Sequence, residues 1–509
     1  MDRCYLREQM MANNKNTLAR REVLTVLGSV PLAALVPVLT SAVPDIAPLR
    51  GTNKEKAASE SNAERQQVAR LQLIPPSPVT DEVILDVRGA VENKSGVARE
   101  YSISLYRDEG SRPSRLLTKK TPVPAHGSVG IQYRCPMRGW ARRHRIRLVA
   151  SGPGEDLQAE REVVVLPSKY RSTEMIGGAW VDILHWSNAE GRFYNAALQG
   201  LTCDDWRQQI LGMHGIGMDI AVVQAVFLNN KYYGKNSIAT TGYHGLAFYP
   251  SALFPGRVHL ACRDPLEAIL AEADRLRMGV FVGVGMYAWF DYSARSLEWH
   301  KKVAAELWHR YGHHRSLYGW YVSEEVDGGL GGFVPATQGE KGKERYRREI
   351  IDFFAGFQAY CSNLAPEKPV MLACNTFGMA KAQDVWPRVL KHVDIICPFG
   401  FGRMPKGDMT SQQAAQLWQT MCRATGTHLW MDMETFVFQG KALVPRPIEG
   451  IVESLHKFTN FEKILCYEYS GIFNSPQSSV KPGGPKTVTL YRDYLRYLHS
   501  VNAGGWNQH

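Results

Sequence analysis

Two different rhythms of apolar and polar residues divide the chain. From about Glu82, apolar positions recur at every second residue: Tyr101, Ile103 and Leu105, then Val129, Ile131 and Tyr133, then Ile146 and Leu148. The turn signals "NKSG" and "AHG" separate these runs, and "REVVVLP" closes them at Pro167. Short alternating strands with no helical segment between them predict a small immunoglobulin-like β-sandwich over residues 77–167.

From about Arg171 apolar strands alternate with amphipathic helices. In "RDPLEAILAEADRLRMGVFVGVGMYAWF", Asp264 can cap a helix, Pro265 suits its first turn, and Leu266, Ile269, Leu270, Ala273 and Leu276 share one face. Gly279 is expected to end that helix, and a buried strand follows. The same rhythm gives strands at "MIGGAWVDIL", "MDIAVVQAVF", "GVFVGVGMY", "LYGWYVS", "PVMLACNTF", "VDIICPFGF", "THLWMDMETF" and "KILCYEYSG". Helical stretches such as "SLEWHKKVAAELWHRYG" and "SQQAAQLWQTMCRATG" lie between them. Eight strand–helix units in about 330 residues predict an α/β fold, a (β/α)8 TIM barrel over residues 171–505. An open doubly wound sheet would use fewer strands, and no GxGxxG follows the first of these.

The N-terminus has a third pattern. In "NTLARREVLTVLGSVPLAALVPVLTSAV", paired Arg20 and Arg21 precede an apolar run that ends near Ala42. That reads as a twin-arginine export signal over residues 1–42, which implies passage through the twin-arginine translocase to the periplasm or the exterior. Two prolines, and a run shorter than the roughly 20 residues a spanning helix needs, argue against a membrane anchor. Residues 43–76 are polar and mixed in charge, as a linker should be.

Composition changes this picture in two places. The net charge of +11 is concentrated at Arg134, Arg138, Arg142, Arg143, Arg145 and Arg147, which read either as a solvated basic face or as a surface for acidic polysaccharide. No nucleic-acid motif accompanies them, and nucleic acid is not expected as a partner. The nine cysteines show no CxxC and no zinc spacing, and Cys374, Cys397 and Cys466 read as small core residues. Folding without disulfides and folding with one or two bridges both remain open.

Barrel active sites lie at the C-terminal ends of the strands, so the polar residues that terminate each apolar run are the informative ones. They are His185 and Trp186 after strand one, Gln224 and Asn229 around two, Tyr287, Trp289 and Asp291 after three, and Glu324 and Glu325 after four. Strands five to eight give Asn375, Arg403, Asp432 with Glu434, and Tyr467 with Glu468. Carboxylates, amides and aromatics together are what a sugar site needs, because aromatic faces stack on pyranose rings while the polar groups bind hydroxyls. Glycoside hydrolysis requires two carboxyl groups flanking the scissile bond, one protonated and one ionised. Glu325 and Glu434, from strands four and seven, form the leading pair; a separation of about 5 Å would imply retention and about 6.5–9.5 Å inversion.

Each position also has a structural reading. Glu324 can be a solvated loop residue, Asp432 can replace Glu434 because period two puts both on one face, and Glu468 can be an ion-pair partner. Trp186, Tyr287 and Trp289 can pack beneath loops, with one of the three expected to stack on sugar. His185 has no second ligand two or four residues on and reads as a hydrogen-bonded residue rather than a metal ligand; no metal or cofactor is expected. His313 and His314 read as a cationic helix end. The glycines at 328, 329, 331 and 332 lack the Lys-Ser/Thr pair of a phosphate loop and read as a flexible lid.

The placement of Glu325 and Glu434 resembles clan A of the retaining glycoside hydrolases, in which the acid/base glutamate ends strand four after an asparagine and the nucleophile ends strand seven. The resemblance implies acid/base Glu325 and nucleophile Glu434, with Glu324 standing where the asparagine would be. The strings "GWYVSEE", "DPLEAILAEADRLRMGVFVGVG", "LWMDMETF" and "FYPS" are similar to a bacterial family catalogued as domain of unknown function 4434, regarded as barrel proteins related to glycosidases. The expectation is an exported glycoside hydrolase acting on a poly- or oligosaccharide. The alternative is a glycan-binding or exopolysaccharide-assembly protein on the same barrel without turnover.

Overall fold

In the computed structural model the described residues are 68–503, apart from 110–111, 155, 230–244, 255, 286–290 and 332–333. The export signal and most of the linker lie outside them. Eight parallel strands close into a barrel: Ile176–Val181, Ile220–Val223, Gly279–Gly283, Leu317–Val326, Val370–Asn375, Ile395–Phe399, His428–Glu434 and Lys463–Tyr467. They are numbered one to eight below, and each falls within an apolar run of the sequence. Trp180, Ile220, Val222, Phe281, Tyr321, Met371, Ile395, Trp430 and Leu465 fill the interior.

The helix after strand two shows why the local sequence folds as it does. Asp264 accepts the Glu267 amide at 3.1 Å, Pro265 occupies the first turn, and one apolar face is buried. Its end differs from expectation: the helix stops at Leu276 and Arg277, at φ 60°, makes the left-handed turn, while Gly279 already begins strand three. His314 follows the helix that ends at Tyr311, its amide donating to the Tyr311 carbonyl at 3.0 Å, and its ring bridges Asp274 at 2.7 Å and Glu267 at 3.1 Å. Cys203 and Cys262 form a disulfide across a sequence separation of 59, and the remaining described cysteines are buried thiols. A loop of that length gives the bridge about 4 kcal/mol in the chain-entropy picture.

Two sheets precede the barrel and pack face to face around one apolar core that includes Leu85, Val87, Ile103, Leu105, Ile131 and Leu148. One sheet joins Val68–Ile74, Ile84–Asn93 and Gly127–Pro136; the other has five strands, with Arg99–Glu109 between Arg112–Val123 and Arg142–Ser151. Val68–Ile74 lies inside the stretch read as linker, so the first strand begins nine residues before position 77. Most of the arginine cluster is neutralised across strands: Arg138 pairs with Glu82, Arg143 with Glu162, Arg145 with Glu160 and Arg147 with Asp108.

Sandwich and barrel belong to one compact unit. Ile74 enters the barrel's inner core, and the Tyr318 hydroxyl donates to the Leu73 carbonyl at 2.5 Å. Beside them Arg88 reaches Asp86 at 2.8 Å and Asp394, at the start of strand six, at 2.7 Å. His428 lies between Glu462 at 2.6 Å and Asp86 at 3.8 Å. Burial alone would raise the Asp86 pKa, but His428 and Arg88 outweigh it and hold it at about 2.

Arg88→Met takes a cation from buried Asp86 and half-buried Asp394 and is expected to cost about 3 kcal/mol, read from the urea midpoint. Because the Asp86 pKa is depressed from 3.8 to about 2, its contribution is present above pH 3.8 and is lost as pH falls toward 2. The deficit of the variant should therefore shrink in acid; a deficit independent of pH would remove Asp86 from the account.

Candidate active site

Successive side chains of a strand face opposite sides, so one inward position fixes the next. Below the barrel rim the inward residues are apolar; at the C-terminal ends they become Asp182, Glu325, Asn375, Asp432, Glu434 and Tyr467. In strand four the pairing with strand five shifts between Val322 and Val326, so the tip carries an irregularity at the two glutamates.

Glu325 is half-buried and accepts a hydrogen bond from Asn375 Nδ2 at 3.3 Å. Burial raises its pKa to about 7, against the opposing effects of Asn375 and Arg403. Glu434 accepts from Arg403 Nε at 2.8 Å and also from Nη2. Arg403 follows strand six in a short turn and lies over Phe377 and Phe438, 5.5 and 5.7 Å from their ring centres. Asp432 is pushed well above the carboxylate range by burial and then by the charges of Glu434 and Glu325, which places all three carboxyl groups in one electrostatic cluster.

The far side of the mouth is built from strands one and eight. Asp182 accepts the Tyr467 hydroxyl at 2.8 Å, yet burial raises its pKa to about 7. Glu468, fully buried, accepts the Gly471 amide at 2.8 Å and is raised by burial and by Asp182. His185 Nδ1 lies 3.0 Å from the Ser187 amide and 3.1 Å from the Ser187 carbonyl, while Nε2 lies 3.6 Å from Glu190 and 4.0 Å from Asp182. Burial lowers its pKa to about 4, so the ring is neutral near pH 7. Trp186 stacks on that ring at 5.4 Å. Glu190, raised to about 7 by burial and then by Glu325, connects the two sides.

Asp182 Oδ1, His185 Nε2, Gln224 Oε1, Asp432 Oδ1 and Glu468 Oε2 are buried and make no hydrogen bond among the described residues. Other buried atoms without a hydrogen bond are scattered through the described residues, but these five gather at one rim, which fits a site that receives polar groups from a ligand. Asp182 and Glu190 were missed in the sequence; period two from Trp180 identifies Asp182, whereas Glu190 comes close through the path of its loop. Tyr287 and Trp289 lie outside the described residues, as do the side chains of Asn229 and Glu324. Asp291 accepts the Ser293 amide at 2.9 Å, just before a helix.

The glycine-rich segment after strand four is held rather than hinged. A side chain at Gly328 would sit 2.8 Å from the Phe377 carbonyl, and the Gly328 carbonyl accepts from Trp386 Nε1 at 2.7 Å. Gly331 donates to Asp327, so the described glycines serve close packing instead of a lid. Among the described residues, Glu267, His313 and His314 are close enough together to hold a metal ion, but they lie at the N-terminal end of strand four, away from this mouth.

Fold and site define a TIM-barrel protein with a carboxylate-rich mouth. The chain belongs to the family described as Domain of unknown function (DUF4434), whose model matches residues 176–480 and so takes in all eight barrel strands. Among curated proteins none matches. Similar solved structures include a candidate alpha-L-fucosidase from Bacteroides thetaiotaomicron, at 18% identity and TM-score 0.44, covering 63% of this chain and 93% of that one. A calcium-binding mutant of Bacteroides uniformis beta-glucuronidase 2 is similar at 11% identity and TM-score 0.39, covering 84% of this chain and 49% of that one. A GH2 beta-galacturonidase from Eisenbergiella tayi follows at 10% identity and TM-score 0.36, covering 85% and 72%. The chain thus spans about half the length of the glucuronidase. These are likenesses of chain trace, and the functional reading rests on the site's own residues.

A carboxyl raised to about 7 destabilises the fold once it must ionise: its contribution is intact below the unfolded pKa near 4.5 and is lost as pH rises through 7. Glu325→Gln removes that penalty. The variant should gain on the order of 2–3 kcal/mol over the natural protein at pH 8 and little at pH 4.5, read by calorimetry at both values. A gain that is the same at both pH values would mean that Glu325 ionises freely in the folded state.

Proposed function

We propose that this chain is a glycoside hydrolase that cleaves a poly- or oligosaccharide, with Glu325 as general acid/base and Glu434 as the second carboxylate, in a retaining mechanism. One observation carries the reading: two carboxyls from strands four and seven share a cluster, one held near pH 7 by burial, the other bound through two donors by Arg403. Environments that separate the behaviour of two carboxyl groups are how a single site supplies both an acid and an anion at neutral pH.

Glu325 would protonate the departing glycosidic oxygen, and Glu434 would attack the anomeric carbon. Water would then release the sugar with Glu325 acting as base. Asn375 would orient Glu325, while Asp182, Gln224, Asp432 and Glu468 would receive sugar hydroxyls through their unpartnered oxygens. Neutral His185 would meet a sugar hydroxyl with its unpartnered Nε2. Trp186 and Tyr467 would line the sugar's apolar face. Tyr287, Trp289 and Glu324 remain candidate contacts on their sequence position. We further read the preceding sandwich as immunoglobulin-like and the N-terminus as a twin-arginine signal, which would make the substrate a glycan met in the periplasm or outside the cell.

Glu325→Gln and Glu434→Gln should each lower kcat by roughly 10³-fold while glycan binding survives, measured with a panel of bacterial exopolysaccharides and by titration calorimetry. In the natural protein kcat/KM should fall as pH rises above about 7, where Glu325 loses its proton. Should the natural protein bind a glycan from the panel but cut none, the barrel is a binding or assembly protein and the hydrolase reading fails.

A further inference from the structure

The pairing of the arginine cluster leaves a different place where positive charge is not balanced. A cleft of about 950 Å³ opens between the sandwich and the N-terminal rim of the barrel, beneath the starts of strands four and five. Arg161, from the last strand of the sandwich, and Arg315, just before strand four, both line it. Among the described residues neither has a carboxylate within ion-pair distance, although Arg138, Arg143, Arg145 and Arg147 all do. Burial and the nearby Arg315 push the Arg161 pKa below its ordinary value, outweighing the opposite effects of Asp274 and Glu367.

The carboxylates of the lining are Glu92 and Glu160, against six arginines and lysines, and they already pair with Arg70 and Arg145. Lys368 and Arg70 approach the buried Glu367, at 3.6 and 3.9 Å, so that one carboxylate already serves two cations, and Arg70 also pairs with Glu92. Two guanidinium groups facing one recess, neither in ion-pair contact with a carboxylate, repel each other, a cost that falls when an anion enters between them. Guanidinium forks match carboxylates in geometry. The cleft is at the large end of the roughly 300–1,000 Å³ range of ligand sites, much more than a single phosphate needs. A recess between two domains also suits a chain rather than a flat bilayer surface.

We propose that the cleft between sandwich and barrel binds a carboxylated polysaccharide, with Arg161 and Arg315 holding uronate carboxylates. It lies at the opposite end of the strands from the catalytic mouth, so its role is retention on an anionic glycan rather than delivery of substrate. The inference stands apart from the glycosidase reading, because binding is measured without turnover and on Glu325→Gln as well as on the natural protein.

The test is calorimetric titration of the full chain with oligogalacturonate, a neutral oligoglucan, inorganic phosphate and phosphatidylglycerol vesicles. Oligogalacturonate should bind, and should weaken about tenfold or more on going from low to high salt. Arg161→Gln combined with Arg315→Gln should weaken it at least tenfold while Tm stays level or rises, because a repelling pair has been removed. A fall in Tm of several degrees would mean that the two arginines are structural and would overturn the proposal. It would equally fail if the double variant binds as tightly as the natural protein, or if the neutral glucan, phosphate or the vesicles bind better than oligogalacturonate.

Discussion

Desolvation of carboxyl groups at the open end of a closed barrel is the constraint around which this protein is arranged. Closure forces alternate residues of every strand inward, and the lower layers can satisfy that with Trp180, Phe281, Tyr321 and Trp430. The upper layer holds Asp182, Glu325, Asp432 and Glu434 instead, and among the described cations Arg403 alone hydrogen-bonds any of their carboxyl groups. Such an arrangement is unfavourable for the fold and favourable for acid–base chemistry, since it keeps protons on groups that would otherwise lose them.

The contrast with the other end of the barrel identifies the cause. Asp86 is as deeply enclosed as the carboxyls of the mouth, yet its pKa is held at about 2 whereas burial lifts Glu325 and Asp182 to about 7. The difference is partnership: Asp86 has Arg88, His428 and Gln132, and the mouth residues have amides, a phenol and one another. Satisfied charge closes the seam between sandwich and barrel, and unsatisfied charge opens a site. The stability that the mouth forgoes has to come from that seam, from the barrel interior and from the Cys203–Cys262 bridge.

The barrel was legible because its strands are apolar on both faces and its helices carry one apolar stripe, two signals that hardly overlap. Glu325, Asn375, Asp432, Glu434 and Tyr467 were legible as the polar ends of those strands. Asp182 was not, since the apolar run of strand one continues through Ile183 and Leu184 and draws attention to His185. Glu190 and the Cys203–Cys262 pair depend on loops whose course no period describes. The first sandwich strand was hidden by the polar stretch that runs into it, and the neutralisation of the arginine cluster required strand register: Arg143 meets Glu162 only because Arg142–Ser151 and Leu157–Leu166 are paired.

The adjacent glutamates of strand four illustrate how register serves the site. Val322 pairs with Leu372 and Val326 with Cys374, so four steps along strand four match two along strand five. An excess of one residue would have reversed the faces and put the next apolar residue into the mouth. An excess of two preserves them: Val322, Val326, Leu372 and Cys374 all pack in the same outer core, while Glu325 and Asn375 meet on the inner side at 3.3 Å. The irregularity therefore lengthens the tip of the strand without turning it over, and so brings a carboxyl group into the cleft while the strand stays anchored beyond it at Val326. Seen this way, the second glutamate is a consequence of the extra chain that the tip requires, and Glu325 is the one whose position the barrel's packing determines.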